Sequence, residues 1–370
     1  MKSYLKRLFI LTKLFFGGII CQAQPSAMFY QNFVLTNHKI YVFYADSTLK
    51  IFNDENGALI DSFTPIPKIK LLLQDHNGAP VIVNAKNQVK RLDQNDQWVT
   101  VASFEGGNLY RVIFNNDNQC YLITNKGIVD AATHTAYMPD KSLYHSESAY
   151  RGGESFQSID DDISTYVDKD NNLWVYFGHG EWGSDMFIFN IKNAGFIPLS
   201  GWIEIPSYES NGHLFSLAQV FHDSYVIQYD KVYSANQVIS MFKGKEVYKS
   251  SDDPSFPGGI KKDFDFFIEG YTFKNNDGCI YFITSKGLYK LNLSGHDLKF
   301  GNAAPIKAFI LPKQTNKLYK FIDHQKITDI FRNSITPYIT KLQFTSDQLV
   351  LLAPGNGIWL FDGKKLTALE

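Results

Sequence analysis

The chain has 370 residues, with 36 Lys and Arg against 37 Asp and Glu and a formal net charge of −1. That balance gives no overall field to draw in a polyphosphate backbone, no basic stripe interrupts it, and nucleic acid is not an expected partner. Aromatic residues make up 15% of the chain and are spread evenly, which suits strands; length alone would allow two domains, but closed all-β architectures run longer as one unit.

At the N-terminus Lys2, Lys6, Arg7 and Lys13 precede an apolar run at 14–21, and Cys21-Gln22-Ala23 ends on a small residue. This is the layout of a secretory signal peptide, with cleavage expected between Ala23 and Gln24. The run is too short to span a bilayer, which needs roughly 20 residues. Two alternatives stay open, a lipidated Cys21 that makes a surface lipoprotein and an uncleaved anchor; the bulky Ile20 before Cys21 weighs against lipidation. Cleavage removes four basic residues and no acidic one, so the exported chain is mildly acidic. No later segment is long and apolar enough to cross a membrane as a helix. The expected location is secreted or periplasmic, with 24–370 forming one domain.

Internal repetition organises the remainder. Residues 115–129 (NNDNQCYLITNKGIV) and 275–289 (NNDGCIYFITSKGLY) match without a gap at Asn, Asn, Asp, Tyr, Ile, Thr, Lys and Gly. Weaker copies lie at 39–52, 78–92, 172–190, where an insertion divides the copy, and 224–241, and the last one holds Gly357-Ile358-Trp359. Each copy is a polar Asp/Asn/Gly turn, an apolar run, a short turn that is often Lys-Gly, and a second strand. Their apolar runs start near Ile40, Pro80, Cys120, Leu173, Tyr225, Ile280 and Leu349. A β-prone stretch precedes each one, at 33–36, 69–73, 109–114, 164–167, 214–220, 267–273 and 339–344. Helical periodicity is absent except for a candidate short helix at 320–332.

Small sheets of this kind bury their faces by stacking around an axis. The expected fold is therefore an all-β β-propeller of seven four-stranded blades. Six is the alternative if 224–241 is an insertion, and eight if 292–338 conceals a blade. Cys120 and Cys279 sit at related positions of separate blades, so a disulfide between them is not expected.

The segments 170–177 (DNNLWVYF) and 276–291 (NDGCIYFITSKGLYKL) resemble the two-component regulator propeller repeat: Asp, Gly or Asn, an aromatic strand, then Thr-x-x-Gly-Leu and an aromatic. The resemblance covers some 15 residues in each of three or four blades. It implies a periplasmic sensor module. In that family the propeller precedes a membrane helix and a kinase, and neither segment is found in this sequence.

Two insertions break the repeat, and such breaks are where propellers carry recognition. The first, 178–185 (GHGEWGSD), offers His179, Glu181, Trp182 and Asp185; a Trp beside carboxylates can stack on a sugar ring. The second, 144–162, holds Tyr150, Arg151 and Glu154 around two glycines, and Arg151 presents a planar fork for a carboxylate. Both have plainer readings, a long hairpin capped by Trp182 and an Arg–Glu surface pair. Asp168, Asp170 and Asn172 have the spacing of half a calcium loop, but Leu173 stands where such a loop needs glycine, and a polar β-turn is the better account. No metal spacing, nucleophile elbow, phosphate loop or dinucleotide fingerprint is present, so no cofactor is implied. The expected function is non-catalytic binding of a protein or glycan through loops on one face. The alternatives are a propeller lyase or glycoside hydrolase using Glu181, Asp185 or Glu154 near the channel, and a structural component at the cell surface.

Overall fold

The computed structural model describes residues 30–44, 46–64, 67–140, 156, 163–178, 184–201, 203–210, 212–220, 223–249, 268–274, 279–284, 287–292, 304–307, 341–346, 348–353 and 357–369. The signal-peptide region, the candidate helix at 320–332 and most of 292–338 lie outside these residues.

The described residues contain strands and no helix, arranged as seven sheets, each contiguous in sequence. Blade 1 is β1 (Tyr30–Thr36), β2 (Lys39–Tyr44), β3 (Leu49–Asn53) and β4 (Leu59–Phe63). Blade 2 is β5 (Ile69–Gln74), β6 (Pro80–Asn84), β7 (Gln88–Leu92) and β8 (Trp98–Ser103). Blade 3 is β9 (Leu109–Phe114), β10 (Cys120–Thr124), β11 (Gly127–Asp130) and β12 (Ala136–Tyr137). Blade 4 is β13 (Ile163–Val167), β14 (Asn172–Gly178), β15 (Ser184–Asn190) and β16 (Gly195–Ile197). Blade 5 takes β17 (Leu199–Gly201), β18 (Tyr208–Ser210), β19 (His213–Val220), β20 (Asp223–Tyr233) and β21 (Ile239–Lys249). Blade 6 is β22 (Ile268–Lys274), β23 (Cys279–Thr284), β24 (Gly287–Asn292) and β25 (Ala304–Lys307). Blade 7 is β26 (Lys341–Phe344), β27 (Leu349–Ala353), β28 (Gly357–Phe361) and β29 (Leu366–Leu369).

The second strands explain why the repeat is so apolar. A strand sends alternate side chains to opposite faces. In β2, Ile40, Val42 and Tyr44 pack against blade 7, while Tyr41 and Phe43 pack against blade 2. Both faces are covered, so the strand reads as a continuous apolar run instead of an alternating one. A separate apolar cluster fills each of the seven blade-to-blade interfaces. Burial of each such side chain contributes about 1.5–3 kcal/mol relative to exposure.

The ring closes by the same face packing, without an exchanged strand among the described residues. Phe33, Val42 and Phe52 meet Val350, Ile358 and Leu369 across blades 1 and 7. Gln348 Nε2 donates to the carbonyl of Glu55 at 3.0 Å across the same seam. The six- and eight-blade alternatives thus give way to seven. Cys120 and Cys279 begin the second strands of blades 3 and 6, and neither forms a disulfide.

Blade 5 corrects the sequence reading. Its sheet order is β17-β21-β20-β19-β18, so the innermost strand is the three-residue β18. Tyr208 there stacks on Phe273 of β22, with ring centroids 4.5 Å apart. The stretch at 214–220, expected as the inner strand, is the second strand, and Tyr225 starts in the third. The sequence Tyr-Glu-Ser is too short to show a strand period, which hid it. A fifth strand, β17, runs parallel to β21 at the outer edge, continuing directly from blade 4.

The Lys-Gly turn of blade 3 is sterically obligatory. Gly127 has φ +100°, and a Cβ there would meet the carbonyl oxygen of Tyr137 at 2.2 Å. Gly127→Ala is therefore expected to destabilise the ring by about 3 kcal/mol, measured by denaturant unfolding, whereas Ala at the exposed Lys126 should be nearly neutral.

Candidate functional site

Alternating strand direction divides the turns between two faces. Connections from first to second and from third to fourth strand lie on one face. Connections from second to third strand, and from each blade to the next, lie on the other.

The first face is closed by its own side chains. In blade 4, buried Asp168 accepts from the backbone N–H of Asp170 and Asn172, at 3.0 and 2.9 Å, and from Trp174 Nε1 at 3.2 Å. Burial pushes its carboxyl up, against the Asn172 and Trp174 donors and the Lys231 charge that hold it down. The calcium-like spacing is thus a carboxylate-closed turn, as Asp and Asn make by bonding their own backbone.

These turns also bond across blades. Asn171 Oδ1 accepts from the Asn116 N–H at 2.8 Å, and Asn171 Nδ2 donates to Asp117 at 2.9 Å. Asn118 Oδ1 accepts from the His76 N–H, and its Nδ2 donates to Asp75, which also pairs with Arg91 at 3.3 Å. Glu209 of β18 accepts from the Lys169 N–H, and Lys231 bridges Glu209 and Asp170. The relay runs from blade 2 to blade 5 and leaves this face committed to structure.

The long connections 138–162, 250–267 and 308–340 all join one blade to the next, and the strands that bound them end at the second face. The strands that bound both insertions singled out in the sequence, β12 and β13, and β14 and β15, meet them at that same end. Tyr150, Arg151, Glu154, His179, Glu181 and Trp182 lie outside the described residues. Asp185 is described: it is buried within β15, opposite Phe177, so the strand extends further into the insertion than the sequence suggested. The described ends of the two insertions are adjacent. Ile163 pairs with Phe177, and Phe156, fully buried, packs on Phe177 and Phe187 at 4.9 and 5.2 Å between ring centroids.

At the same end, the inner strands carry a collar of polar side chains. The inner-strand register skips one residue in blades 1, 2, 3 and 6, at Gln31, Lys70, Tyr110 and Glu269. Such bulges re-aim side chains at the rims of closed sheets. Asn32, Arg111 and Lys341 share one register position, each opposite the penultimate residue of the second strand. Each collar side chain reaches the next blade. Lys341 Nζ donates to Phe33 O at 2.6 Å and Asn32 Oδ1 at 2.9 Å; Asn32 Nδ2 donates to Leu72 O at 2.7 Å. Lys70 Nζ donates to Leu109 O at 2.7 Å and Asn87 Oδ1 at 3.0 Å; Arg111 Nε donates to Ile163 O at 3.2 Å.

Burial pushes the Lys341 ammonium down to about 8. Burial, and then Arg111, lower Lys70. Sequence reading missed this collar, although a signal was present: a single cation in each of three mainly apolar inner strands, IKLLLQ, LYRVIF and KLQF.

Among the described residues no group of three or more His, Cys, Asp or Glu is placed to hold a metal, and no helix is long and apolar enough to cross a membrane. Burial, with Asp130 adding to it, pushes the Cys120 thiol up to about 12, which keeps it un-ionised and poorly nucleophilic.

No protein-family model and no curated protein matches the chain. Among solved structures it is similar to the β-propeller domain of Cps50 (Swd1) from Myceliophteria thermophila, at 12% identity and a TM-score of 0.53, covering 90% of this chain and 99% of that one. It is also similar to the Dos1 propeller, at 10% identity and a TM-score of 0.50, covering 90% and 78%. At these identities the likeness concerns the fold alone.

Two outcomes are expected here. Asn171 has φ +61°, so Asn171→Gly should cost about 1 kcal/mol for the lost amide, and Asn171→Ala about 2 once the left-handed backbone is added; urea unfolding of the pair separates the two contributions. The second concerns Lys341, whose folded-state proton is lost near 8 against an ordinary value of 10.5. The folded chain sheds that proton first, so the unfolded chain binds more protons between these values and stability rises with pH. The stability difference between wild type and Lys341→Met should shift in favour of wild type from pH 8 toward 10.5, followed by chemical denaturation.

Proposed function

We propose that this chain is an exported, non-catalytic β-propeller that binds a protein or glycan through its loop-bearing face. The observation that carries the reading is the asymmetry between faces. One face has its turn groups bonded to one another from blade 2 to blade 5. At the other end lie the ends of the strands that bound the three long connections and both insertions, beside the polar collar. Recognition residues concentrate on loops held by a rigid scaffold.

In this reading residues 1–23 are a signal peptide and 24–370 the functional unit. Arg151 and Trp182 are the leading ligand contacts, with Tyr150, Glu154, His179 and Glu181 beside them, while Asp185 supports the base of its loop. The resemblance of 170–177 and 276–291 to two-component regulator propeller repeats supports a sensing role in which the occupied ring signals to a partner chain.

The test is a screen of the mature protein on a glycan array and against purified extracytoplasmic proteins. Trp182→Ala or Arg151→Ala should weaken a hit by about tenfold or more, the scale of an interface hot spot, and Lys169→Ala on the opposite face should not. Equal loss from Lys169→Ala, or turnover of a glycan on the array, would sink the reading.

A further inference from the structure

The outermost strand of each blade ends its sheet, and an edge strand presents unpaired N–H and C=O groups that another chain can join. Proteins protect such edges by shortness, charge, proline or cover. Six of the seven outer strands show one of these devices. β12 has two residues, β16 and β17 have three each, and β29 has four. β25 contains Pro305 and Lys307. β4 contains Asp61, whose Oδ1 accepts from the Ser62 N–H at 2.7 Å. β8 is the exception. Its sequence WVTVAS runs for six residues without charge, proline or glycine, and it ends its sheet beyond β7. Val99 is 39% exposed, and Thr100 is exposed beside it.

The register says which backbone groups are free. The Asp93 N–H donates to Gln97 O at 2.9 Å, so these two residues form a hydrogen-bonded pair. Bonded and non-bonded pairs alternate along an antiparallel ladder. Arg91 and Val99 therefore bond each other, whereas Trp98, opposite Leu92, and Thr100, opposite Lys90, turn their N–H and C=O groups away from β7. A bulge at Val101 follows, so the regular part of the edge is centred on Val99. This edge is complementary to itself. Two copies aligned antiparallel about Val99 set Trp98 of each opposite Thr100 of the other, both in bonding register, with Val99 opposite Val99. Aromatic against β-branched is a favourable cross-strand pair, and no charge within the strand meets its like.

We infer that the outer edge of blade 2 is a homodimer interface, in which β8 of two copies pairs antiparallel about Val99 and joins two blades into one eight-stranded sheet. The contact is isologous, the same strand serving both copies, and it closes at two. Antiparallel pairing turns the second ring over, so the two loop-bearing faces point in opposite directions and the dimer offers both. The inference does not rest on what those faces bind.

The experiment is sedimentation equilibrium of the mature protein. A ladder this short buries less than the ~1,200 Å² of a standard interface, so a reversible dimer dissociating in the micromolar range is expected between ~1 and ~200 μM. Val99→Lys sets two ammonium groups opposite each other across the two-fold axis, and Thr100→Pro removes an edge N–H that β7 does not use. Each should raise the dissociation constant about tenfold or more. Val99 is exposed, so Val99→Lys keeps the fold even if Thr100→Pro does not, and the unfolding midpoint of each variant checks this. Val232→Lys, at an equally exposed valine of β20 (39%), should dimerise like wild type. A monomer across the whole range, a dimer indifferent to Val99→Lys, or equal weakening by Val232→Lys overturns the interface. Glycan or protein capture measured on the same variants reports on the loop face alone, so failure of either reading leaves the other testable.

Discussion

The structure depends on burying both faces of each small sheet against its neighbours. A four-stranded sheet alone would expose a row of Ile, Val, Phe and Tyr side chains on each side. The alternation within β2 sends successive residues to blades 7 and 2, and the same division recurs at every interface. Each blade is thus wedged between two others, and the wedge is complete only when the ring is closed. Closure here relies on the packing of Phe33, Phe52, Val350 and Leu369 and on the contacts of Lys341 and Gln348 across the seam. Loss of that seam would expose two apolar faces at once.

The polar groups follow from this arrangement. Apolar interfaces hold the blades together but leave the strand ends to be satisfied. On one face Asp and Asn side chains close their own turns and reach across to the next blade, as Asn171 does to Asn116 and Asp117. At the other end Asn32, Lys70, Arg111 and Lys341 of the inner strands cap carbonyls of the following blade. Both sets of bonds tie blade to blade.

Much of the fold was legible because its signals are local. Matching turns at 115–119 and 275–279 and apolar runs such as LWVYF need no knowledge of distant residues. Blade 5 was misread for the same reason: Tyr208–Ser210 is an inner strand only through its neighbours, with Tyr208 against Phe273 and Glu209 against Lys169. The collar was illegible in a different way. Lys70, Arg111 and Lys341 are single cations far apart in the chain; each stands out within its own strand, but nothing local shows that the three share one end of the ring. Asp168 was judged correctly as a turn residue, because the steric need for glycine at the next position of a calcium loop can be checked in sequence.

By itself the sequence determined the repeat, the all-β class and the places where the repeat is broken, because turn chemistry and strand alternation act over a few residues. Only the tertiary structure decided that there are seven blades, that the strands bounding both insertions end on one face, and that Lys341, Lys70 and Arg111 each bond to the blade that follows. Those are consequences of ring closure, which brings together residues as far apart as Asn32 and Lys341, and no local pattern encodes a distance of that kind.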